Sequence, residues 1–372
     1  MLKKVLVVFL ISMILVMCNL VVYAQNTPVP SQDIKIIIDG ELCTYEDTPI
    51  IISGSTFLPL RSVAVSLGVS NDSEHIIWDD FSKSVRLLHD GIEINLKIGS
   101  LEAKINGSPV VLNAAPVIYN ERTYVPLRFI AESFKRKVVW DDGLRAALIT
   151  TEEQFKAVND IIQKSSEVML AIKKAVISTD LKLQILQQDS ILPLDAHMST
   201  RFDRENKKLH LNMSIPIIQN LSYNTYFVEN TLYEQNMFTG KWTKRTISDQ
   251  GSDILFEDNI DIVNLYDSDS LCAGLVAREN TETGKYILEG NIYLVELFNK
   301  VNENSQQILK YELARYYTTV YIDKNTYMID SMVMDISGSL DSDLGEGKYN
   351  AEITSTFSDI NGDIDIKLPE GI

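Results

Sequence analysis

The chain has few cysteines and few histidines, with three of the former and four of the latter in 372 residues. So few cysteines exclude the disulfide framework of a small secreted domain. No nucleophile elbow, phosphate-binding Walker loop, dinucleotide fingerprint or zinc signature occurs in the sequence. After the first two dozen residues, no hydrophobic stretch is long enough to cross a bilayer. The sequence therefore contains no positive evidence for an enzyme.

Residues 1–24 have the features of a secretory signal peptide. Lys3 and Lys4 form a positively charged start, and an apolar stretch runs from Val5 to Val22. A small-residue cleavage site follows, and we expect cleavage between Ala24 and Gln25. This expectation makes the mature protein secreted or extracellular, and attachment to the cell surface stays open.

Two alternatives to cleavage remain open. Cys18 would carry a lipid if the leader were that of a lipoprotein, although Met17 stands where such sites have a small residue. The apolar stretch could also stay as an uncleaved anchor, since it is barely long enough to span a membrane. In the mature chain, residues 25–33 are expected to be a linker.

The mature chain is strongly acidic. Without Lys3 and Lys4 it has 32 basic and 51 acidic side chains, a net charge of −19. Such a polyanion repels nucleic acid and anionic lipid surfaces, so neither is an expected partner. Cys43 and Cys272 would be the remaining cysteines, and they either form one disulfide or stay as separate thiols.

One segment of the sequence occurs twice, 67 residues apart. Thr56-Phe57-Leu58-Pro59-Leu60-Arg61 returns as Thr123-Tyr124-Val125-Pro126-Leu127-Arg128. Each is followed by an apolar residue and Trp-Asp-Asp, at 78–80 and at 140–142. Such repetition predicts two copies of one small β-rich unit, in residues 34–90 and 101–150.

Each copy is expected to contain a hairpin and one short helix. The hairpins turn at Asp39-Gly40 and Asn106-Gly107, since both turn residues need positive φ. Proline cannot donate to a sheet but suits the start of a helix, so Pro59 and Pro126 mark a switch from strand to helix. Gly68 suits the end of the first helix. Lys135 has the same place in the second copy, which predicts a different helix end there.

The repeated pattern of aromatic, aliphatic, Pro-Leu-Arg, short helix and Trp-Asp resembles the copper amine oxidase N-terminal domain family. The resemblance covers residues 34–150 and is found twice in register. It implies a stalk-like module of secreted and surface proteins of Gram-positive bacteria. In the oxidases this module is appended, and the copper and quinone cofactor lie elsewhere.

The residues of this chain do not fit oxidase chemistry. Copper sites of that type use several imidazoles, and the four histidines form no His-x-His pair. The Asn-Tyr-Asp/Glu precursor of the quinone is also missing. We therefore expect no catalytic residue, no cofactor and no metal. Acidic clusters at 341–343 and 359–365 have oxygen ligands that suit calcium, but neither completes an EF-hand, so a solvated acidic surface is expected.

The repeated arginines have two interpretations. They either contact a ligand, such as an acidic wall polymer, or act as structural clamps on the following carboxylate and indole. We expect the clamp, with the tryptophans as core anchors. The structural motif then comprises Pro59, Arg61, Trp78, Asp79, Pro126, Arg128, Trp140 and Asp141.

Residues 151–372 are expected to form a second, α+β domain. A capped amphipathic helix begins at Thr151, and alternating strands follow, with a more helical pattern near 250–300. This order indicates a curved antiparallel sheet with helices on its concave face. The phrase at 320–329 and the closing Ile366-Lys367-Leu368-Pro369 resemble LolA-like and LppX-like half-barrel lipoproteins.

That resemblance implies a cavity for an apolar ligand. The alternative is an ordinary core, because alternation does not distinguish the two. The candidate lining residues are Ile185, Leu211, Met213, Phe227, Met332 and Met334.

The sequence thus favours a secreted, non-enzymatic binding or scaffold protein of the cell envelope. Its partner would be a cell-wall polymer or a surface protein. The alternative is an extracellular carrier or sensor of a lipid or other apolar ligand.

Overall fold

The computed structural model describes residues 28–31, 34–187, 190–216, 222–236, 239–247, 268–292, 310–342 and 345–372. The expected leader, with its cleavage site at Ala24 and Gln25, lies outside the described residues. These residues form two compact units, one from the chain up to 38 with 42–149, the other from 39–41 with 150–372. No helix in the described ranges has both the length and the apolar composition needed to cross a membrane.

The first unit contains two short helices among small strands. The helices are α1 (Leu60–Ser66) and α2 (Leu127–Ser133). The strands are β1 (Val29–Pro30), β2 (Lys35–Ile38), β3 (Glu41–Cys43), β4 (Ile50–Ile52), β5 (Ser55–Pro59), β6 (Ile76–Asp79), β7 (Ser84–His89), β8 (Ile92–Lys97), β9 (Glu102–Ile105), β10 (Ser108–Val111), β11 (Val117–Tyr119), β12 (Arg122–Pro126), β13 (Arg136–Asp141) and β14 (Ala146–Thr151).

The central sheet joins the two repeated segments through antiparallel pairing of β5 and β12. Its strand order is β1-β4-β5-β12-β11. Leu58 pairs with Val125, and both are completely buried. On either side of this pair, Phe57 faces Pro126, and Pro59 faces Tyr124. Because equivalent residues are 67 apart, this register relates the two segments by a local two-fold rotation through the Leu58–Val125 pair.

The two outer sheets each combine strands from both segments. One has the order β10-β9-β8-β7-β6, and the other has the order β13-β14-β2-β3. In the second, β14 pairs in parallel with β2. The hairpin that contains each tryptophan therefore shares a sheet with the Asx-Gly hairpin of the opposite segment. The expectation of separate tandem units at 34–90 and 101–150 is corrected, because neither segment completes its outer sheet alone.

Two details of this unit differ from the sequence-based expectations. Strand β8 fills the interval between the expected copies and is inserted into one outer sheet. Within the expected linker 25–33, Val29 and Pro30 pair with β4. Pro30 is tolerated there because β1 is an edge strand, where a missing backbone donor costs no ladder hydrogen bond.

The core of the first unit is continuous across both segments. Strands β2 and β14 are buried on both faces, as expected of a parallel pair within a sheet, and their sequences are runs of apolar residues. Aliphatic side chains from both helices pack into the same cluster: Leu60, Val63, Ala64, Leu127, Ile130 and Ala131.

Both helices begin and end alike, which corrects one expectation. Pro59 and Pro126 are the N-cap residues that close the preceding strands. After the first helix, Gly68 has φ of +100°. Lys135 adopts φ of +58° at the equivalent place, and its amide donates to Glu132 O at 2.9 Å. The second helix thus has the same left-handed ending without glycine, at a cost of about 1 kcal/mol.

The second unit contains two described helices and a large sheet. The helices are α3 (Glu152–Leu170) and α4 (Ser268–Gly274). The strands are β15 (Lys174–Gln187), β16 (Ser190–Asp203), β17 (Lys208–Ser214), β18 (Ser222–Val228), β19 (Thr231–Gln235), β20 (Trp242–Thr246), β21 (Val276–Asn280), β22 (Lys285–Gly290), β23 (Lys310–Asp323), β24 (Ile329–Ser342) and β25 (Gly345–Ser358).

One expectation for this unit was wrong. Strands β21 and β22 occupy part of the region expected to be helical near 250–300. The remaining helical pattern, at 294–301, lies outside the described residues. Helix α3 begins as expected, since Thr151 Oγ1 accepts from Gln154 N at 3.0 Å. Gln154 Oε1 accepts from Ala277 N at 3.1 Å, so it contacts β21 and does not complete a capping box.

The eleven strands form one antiparallel sheet with an apolar face and a polar face. Its order is β20-β19-β18-β17-β16-β15-β25-β24-β23-β22-β21. Paired residues in neighbouring strands lie on the same face. One row of such pairs is Met213, Met198, Thr179, Ser355, Met332 and Val320. We call the side of the sheet that contains this row the apolar face.

The polar face includes a network around His210. The imidazole stacks on Tyr226 with 4.0 Å between ring centroids. Its Nε2 donates to Asn224 Oδ1 at 3.1 Å, and the same oxygen accepts from Asn212 at 2.9 Å. Burial, with a smaller effect of Arg201, lowers the pKa of His210 below its ordinary value of 6.5. The folded protein therefore favours the neutral imidazole.

We expect Lys135→Gly to stabilise the first unit by about 1 kcal/mol, because glycine adopts positive φ without a steric penalty. The measurement is chemical unfolding of the full chain. The matched variant Gly68→Ala should destabilise, since a Cβ there would lie 3.1 Å from His89 Cε1. A destabilising effect of Lys135→Gly would contradict this interpretation of the helix end.

We expect His210 to make stability depend on pH. A histidine whose folded pKa is lowered contributes stability above its unfolded pKa, near 6.5, and loses it as pH falls through the folded pKa. The decrease in melting temperature from about pH 7.5 to about pH 5.5 should therefore be smaller in His210→Gln than in the wild type. Equal decreases in the two proteins would refute this role.

Candidate functional site

The repeated Trp-Asp-Asp sequence builds the same turn in both segments of the first unit. Trp140 Nε1 donates to Asp142 Oδ1 at 2.7 Å, and Trp78 Nε1 donates to Asp80 Oδ1 at 3.4 Å. The second aspartate of each motif therefore holds the edge of the indole. This role of Asp80 and Asp142 was not among the expectations from sequence, although their recurrence two residues after an indole is a visible signal.

The first aspartate of each motif caps the turn that follows it. Asp141 Oδ1 accepts from Leu144 N at 2.8 Å. Asp79 Oδ1 accepts from Phe81 N at 2.9 Å and Ser82 N at 3.2 Å. The Ser82 bonds, with a smaller contribution from Phe81, lower the pKa of Asp79. Both carboxylates thus belong to Asx turns.

The repeated arginines bond to other groups, so the expected clamp to Asp79 and Asp141 is wrong. Arg61 Nη1 donates to Asn71 Oδ1 at 2.7 Å. Arg128 Nη1 donates to Val138 O at 3.0 Å and lies 3.5 Å from Glu132 Oε1. The aspartates are already engaged in their turns. Arg61 instead ties its helix to the loop before β6, and Arg128 ties its helix to β13, which contains Trp140.

Each arginine and its tryptophan line an open groove. The Arg61 groove has a volume of about 570 Å³ and includes Pro59, Arg61 and Trp78. The Arg128 groove has a volume of about 490 Å³ and includes Pro126, Arg128 and Trp140. The Trp78 residue is 41% exposed, which corrects its assignment as a core anchor, whereas Trp140 is partly buried against the core.

The opposite segment completes each groove. Arg122 and Thr123 of β12 line the Arg61 groove, and Ser55 and Thr56 of β5 line the Arg128 groove. These positions are equivalent at the spacing of 67 residues. The grooves are thus two versions of one site, and each exists only because the segments share their sheets.

Both grooves carry the same balance of charged side chains. The Arg61 groove is lined by Arg61, Arg122 and Glu46. The Arg128 groove is lined by Arg128, Arg145 and Glu132. Two arginines and one glutamate make each groove a cationic patch on a chain of net charge −17.

The second candidate site is the apolar face of the large sheet. The strand register brings all six predicted lining residues to this face. Phe227 and Met334 are buried, whereas the other four are only partly buried. Their neighbours on the same face are also apolar, including Leu181, Leu183, Leu194, Ala196, Ile336 and Ile353.

The titratable and sulfur-containing residues form no metal centre within the described ranges. No group of three or more His, Cys, Asp or Glu side chains there is arranged to hold a metal ion. Asn361, in the second acidic cluster, accepts from the backbone of Lys173 at 2.8 Å and so joins the C-terminal turn to β15. Cys43 and Cys272 are both thiols.

Comparison with known families supports the resemblance of the first unit. Residues 37–149 match the family model described as the copper amine oxidase N-terminal domain. The match spans 113 of the 372 residues, less than a third of the chain. It confirms the resemblance for that segment, and the name refers to the N-terminal domain of the oxidases.

Solved structures similar to this chain include LolA-like proteins, the group that the second half resembles in sequence. A DUF1329 family protein from Desulfovibrio piger is 10% identical over 57% of this chain and 95% of its own, with a TM-score of 0.26. A putative outer membrane lipoprotein-sorting protein domain from Vibrio parahaemolyticus is 8% identical over the same shares, with a TM-score of 0.24. A LolA superfamily protein from Nitrosomonas europaea is 7% identical over the same shares, with a TM-score of 0.20. At such TM-scores, the description of the second unit depends on its own strand register.

We expect Arg128→Ala and Asp141→Ala to destabilise the first unit independently. Their bonds have no common partner, so the free energies of unfolding should add within about 0.5 kcal/mol in a double-mutant cycle. Asp141→Ala alone should cost about 1 kcal/mol through its lost turn bond. A coupling energy above about 1 kcal/mol would contradict this and support a direct interaction between Arg128 and Asp141.

Proposed function

We propose that this is a non-enzymatic binding protein that works outside the cell. Its second unit holds the apolar part of a ligand, such as a lipid acyl chain, on the apolar face of the large sheet. The observation that carries this proposal is the register that collects the predicted lining residues on one face. The first unit supplies attachment to the cell envelope.

The apolar face suits a chain-like ligand because it extends across several strands and contains adaptable side chains. Met198, Met213 and Met332 lie in one row, and methionine adjusts to ligands of irregular shape. Each buried methylene contributes about 0.8 kcal/mol, against an association cost of about 4–15 kcal/mol. Binding should therefore strengthen as the acyl chain becomes longer.

The two faces of the sheet give the proposal its internal control. On β15, Ile185 belongs to the apolar face and is partly buried, whereas Gln184 belongs to the polar face and is exposed. A polar amide placed at 185 would have to lose water when an acyl chain covers it, which costs free energy. Position 184 already has an amide side chain, and replacing Gln184 by alanine leaves the apolar face intact.

The experiment titrates the full chain with a fluorescent long-chain fatty acid. We expect the double variant Ile185→Gln/Met213→Gln to bind at least about tenfold more weakly, equivalent to about 1.4 kcal/mol. Gln184→Ala should bind like the wild type, and melting temperatures should verify that all variants fold. Native mass spectrometry after incubation with extracted lipids provides an independent readout. Equal affinity of the double variant and the wild type would refute the apolar face as the site.

The grooves of the first unit favour a second role, attachment to a wall polymer or surface protein. The exposed Arg61 and Arg128 side chains retain donors beyond those used for Asn71, Val138 O and Glu132 within the protein. Retention of the full chain on isolated cell envelopes tests this role, and a protein that washes off completely would contradict it.

A further inference from the structure

We infer that the Arg61 groove and the Arg128 groove are two equivalent binding sites for an acidic polysaccharide. This inference rests on the attachment role proposed above and names the class of ligand. The shared chemistry is a sugar ring that carries a carboxylate or a phosphate. No part of it depends on the apolar face of the second unit.

The indole in each groove offers a surface for a sugar ring. Both indole N–H groups bond to an aspartate of their own turn, which fixes the edge of each ring. Because Trp78 is 41% exposed, part of its ring surface remains open to the groove. The less polar face of a pyranose packs on such an amphipathic aromatic surface. Pro59 and Pro126 also line the grooves but are themselves buried.

The arginines supply the recognition of an anion. A guanidinium has five N–H donors in a planar fork that matches carboxylate and phosphate. Arg61 uses one donor for Asn71, and that bond at 2.7 Å fixes the position of the guanidinium. Arg128 is fixed by Val138 O at 3.0 Å. Each fork is thus held in place before a ligand arrives, which reduces the entropy that binding must overcome.

Local charge favours an acidic ligand in spite of the acidic chain. Each groove has an excess of one positive charge among its lining residues, whereas the whole sequence has a net charge of −17. Arg122 is partly neutralised by Asp47 at 2.9 Å and Arg128 by Glu132 at 3.5 Å, and each groove has a second arginine, Arg61 or Arg145. The surrounding negative charge disfavours densely charged nucleic acid and favours a polymer with wider charge spacing.

The duplication of the site points to a repeating ligand. Both grooves combine a proline, an arginine, an indole and a threonine at equivalent positions, with the threonine supplied by the opposite segment. Two sites on one rigid unit increase the effective concentration of the second ligand residue once the first is bound. A polymer of identical acidic sugars can use this gain, but a monosaccharide cannot.

The test measures binding of the full chain to immobilised polysaccharides. The probes are polygalacturonate for the carboxylate, a phosphomannan for the phosphate, and neutral dextran as the control. We expect binding to at least one acidic polymer, weakened by added salt, and no binding to dextran. Arg61→Gln and Arg128→Gln should each weaken binding about fivefold, and the double variant about 25-fold, because both sites contribute to bivalent binding of one polymer.

Matched controls separate binding from folding. Arg86→Gln removes an exposed arginine of β7 that lies outside both grooves, and its affinity should equal that of the wild type. Trp78→Leu, which removes the more exposed indole, should weaken binding, and its melting temperature shows whether the variant folds. Unchanged affinity of a folded double arginine variant would overturn the inference, as would equal binding to dextran or failure of both acidic polymers.

The same proteins also separate this inference from the proposed function. Fatty-acid binding should be unaffected in the arginine variants, because the apolar face is in the other unit. Retention on cell envelopes without binding to either acidic polysaccharide would support the attachment role and refute the inference that the grooves bind an acidic polysaccharide. If the wild type does not bind fatty acid, the carrier role is refuted and the inference about the grooves is unaffected.

Discussion

The pairing of β5 with β12 around Leu58 and Val125 determines the rest of the first unit. Both side chains are completely buried, and equivalent residues flank them on either side. This contact turns two sequence copies into one structure with a local two-fold axis. It also places each proline at the end of its strand, where the chain enters a helix. The outer sheets can then exchange their hairpins between segments.

This exchange explains how a repeated sequence produces a repeated site. A groove requires the arginine and tryptophan of one segment and the threonine strand of the other. The aspartates of the Trp-Asp-Asp motif fix the indole and the turn, so the arginine is not needed as their partner. The side chain of Asn71 and the backbone carbonyl of Val138, each ten residues after its arginine, hold the arginines instead. Equivalent grooves therefore tolerate the different lengths of the two connections from helix to tryptophan.

Local chemistry made several parts of the structure predictable from sequence. Asp39-Gly40 and Asn106-Gly107 have positive φ, as their hairpin turns require. Thr151 caps its helix because its hydroxyl reaches Gln154 N, three residues ahead. The six lining residues occupy one face because their strands alternate and pair antiparallel. Each of these features depends on residues close in sequence or on a simple period.

Pairing between residues that lie far apart in the sequence was not predictable. The parallel contact of β14 with β2 joins residues more than a hundred positions apart, and nothing in either sequence specifies the partner. Strand β8 pairs with β7 on one side and β9 on the other, and so connects the two hairpins in one sheet. Lys135 keeps a strained φ because α2 must end where α1 does, and local propensity is overridden by the fold. The arginine clamp was wrong because the aspartates satisfy nearer backbone donors.

Hydrogen exchange of the full chain, followed by mass spectrometry, most directly tests whether the two segments form one cooperative unit. We expect peptides from β2, β5, β12 and β14 to share one opening free energy and to exchange together as denaturant is added. Exchange of the 34–90 segment in a separate step from the 101–150 segment would show that the segments fold independently and would contradict the shared-sheet account.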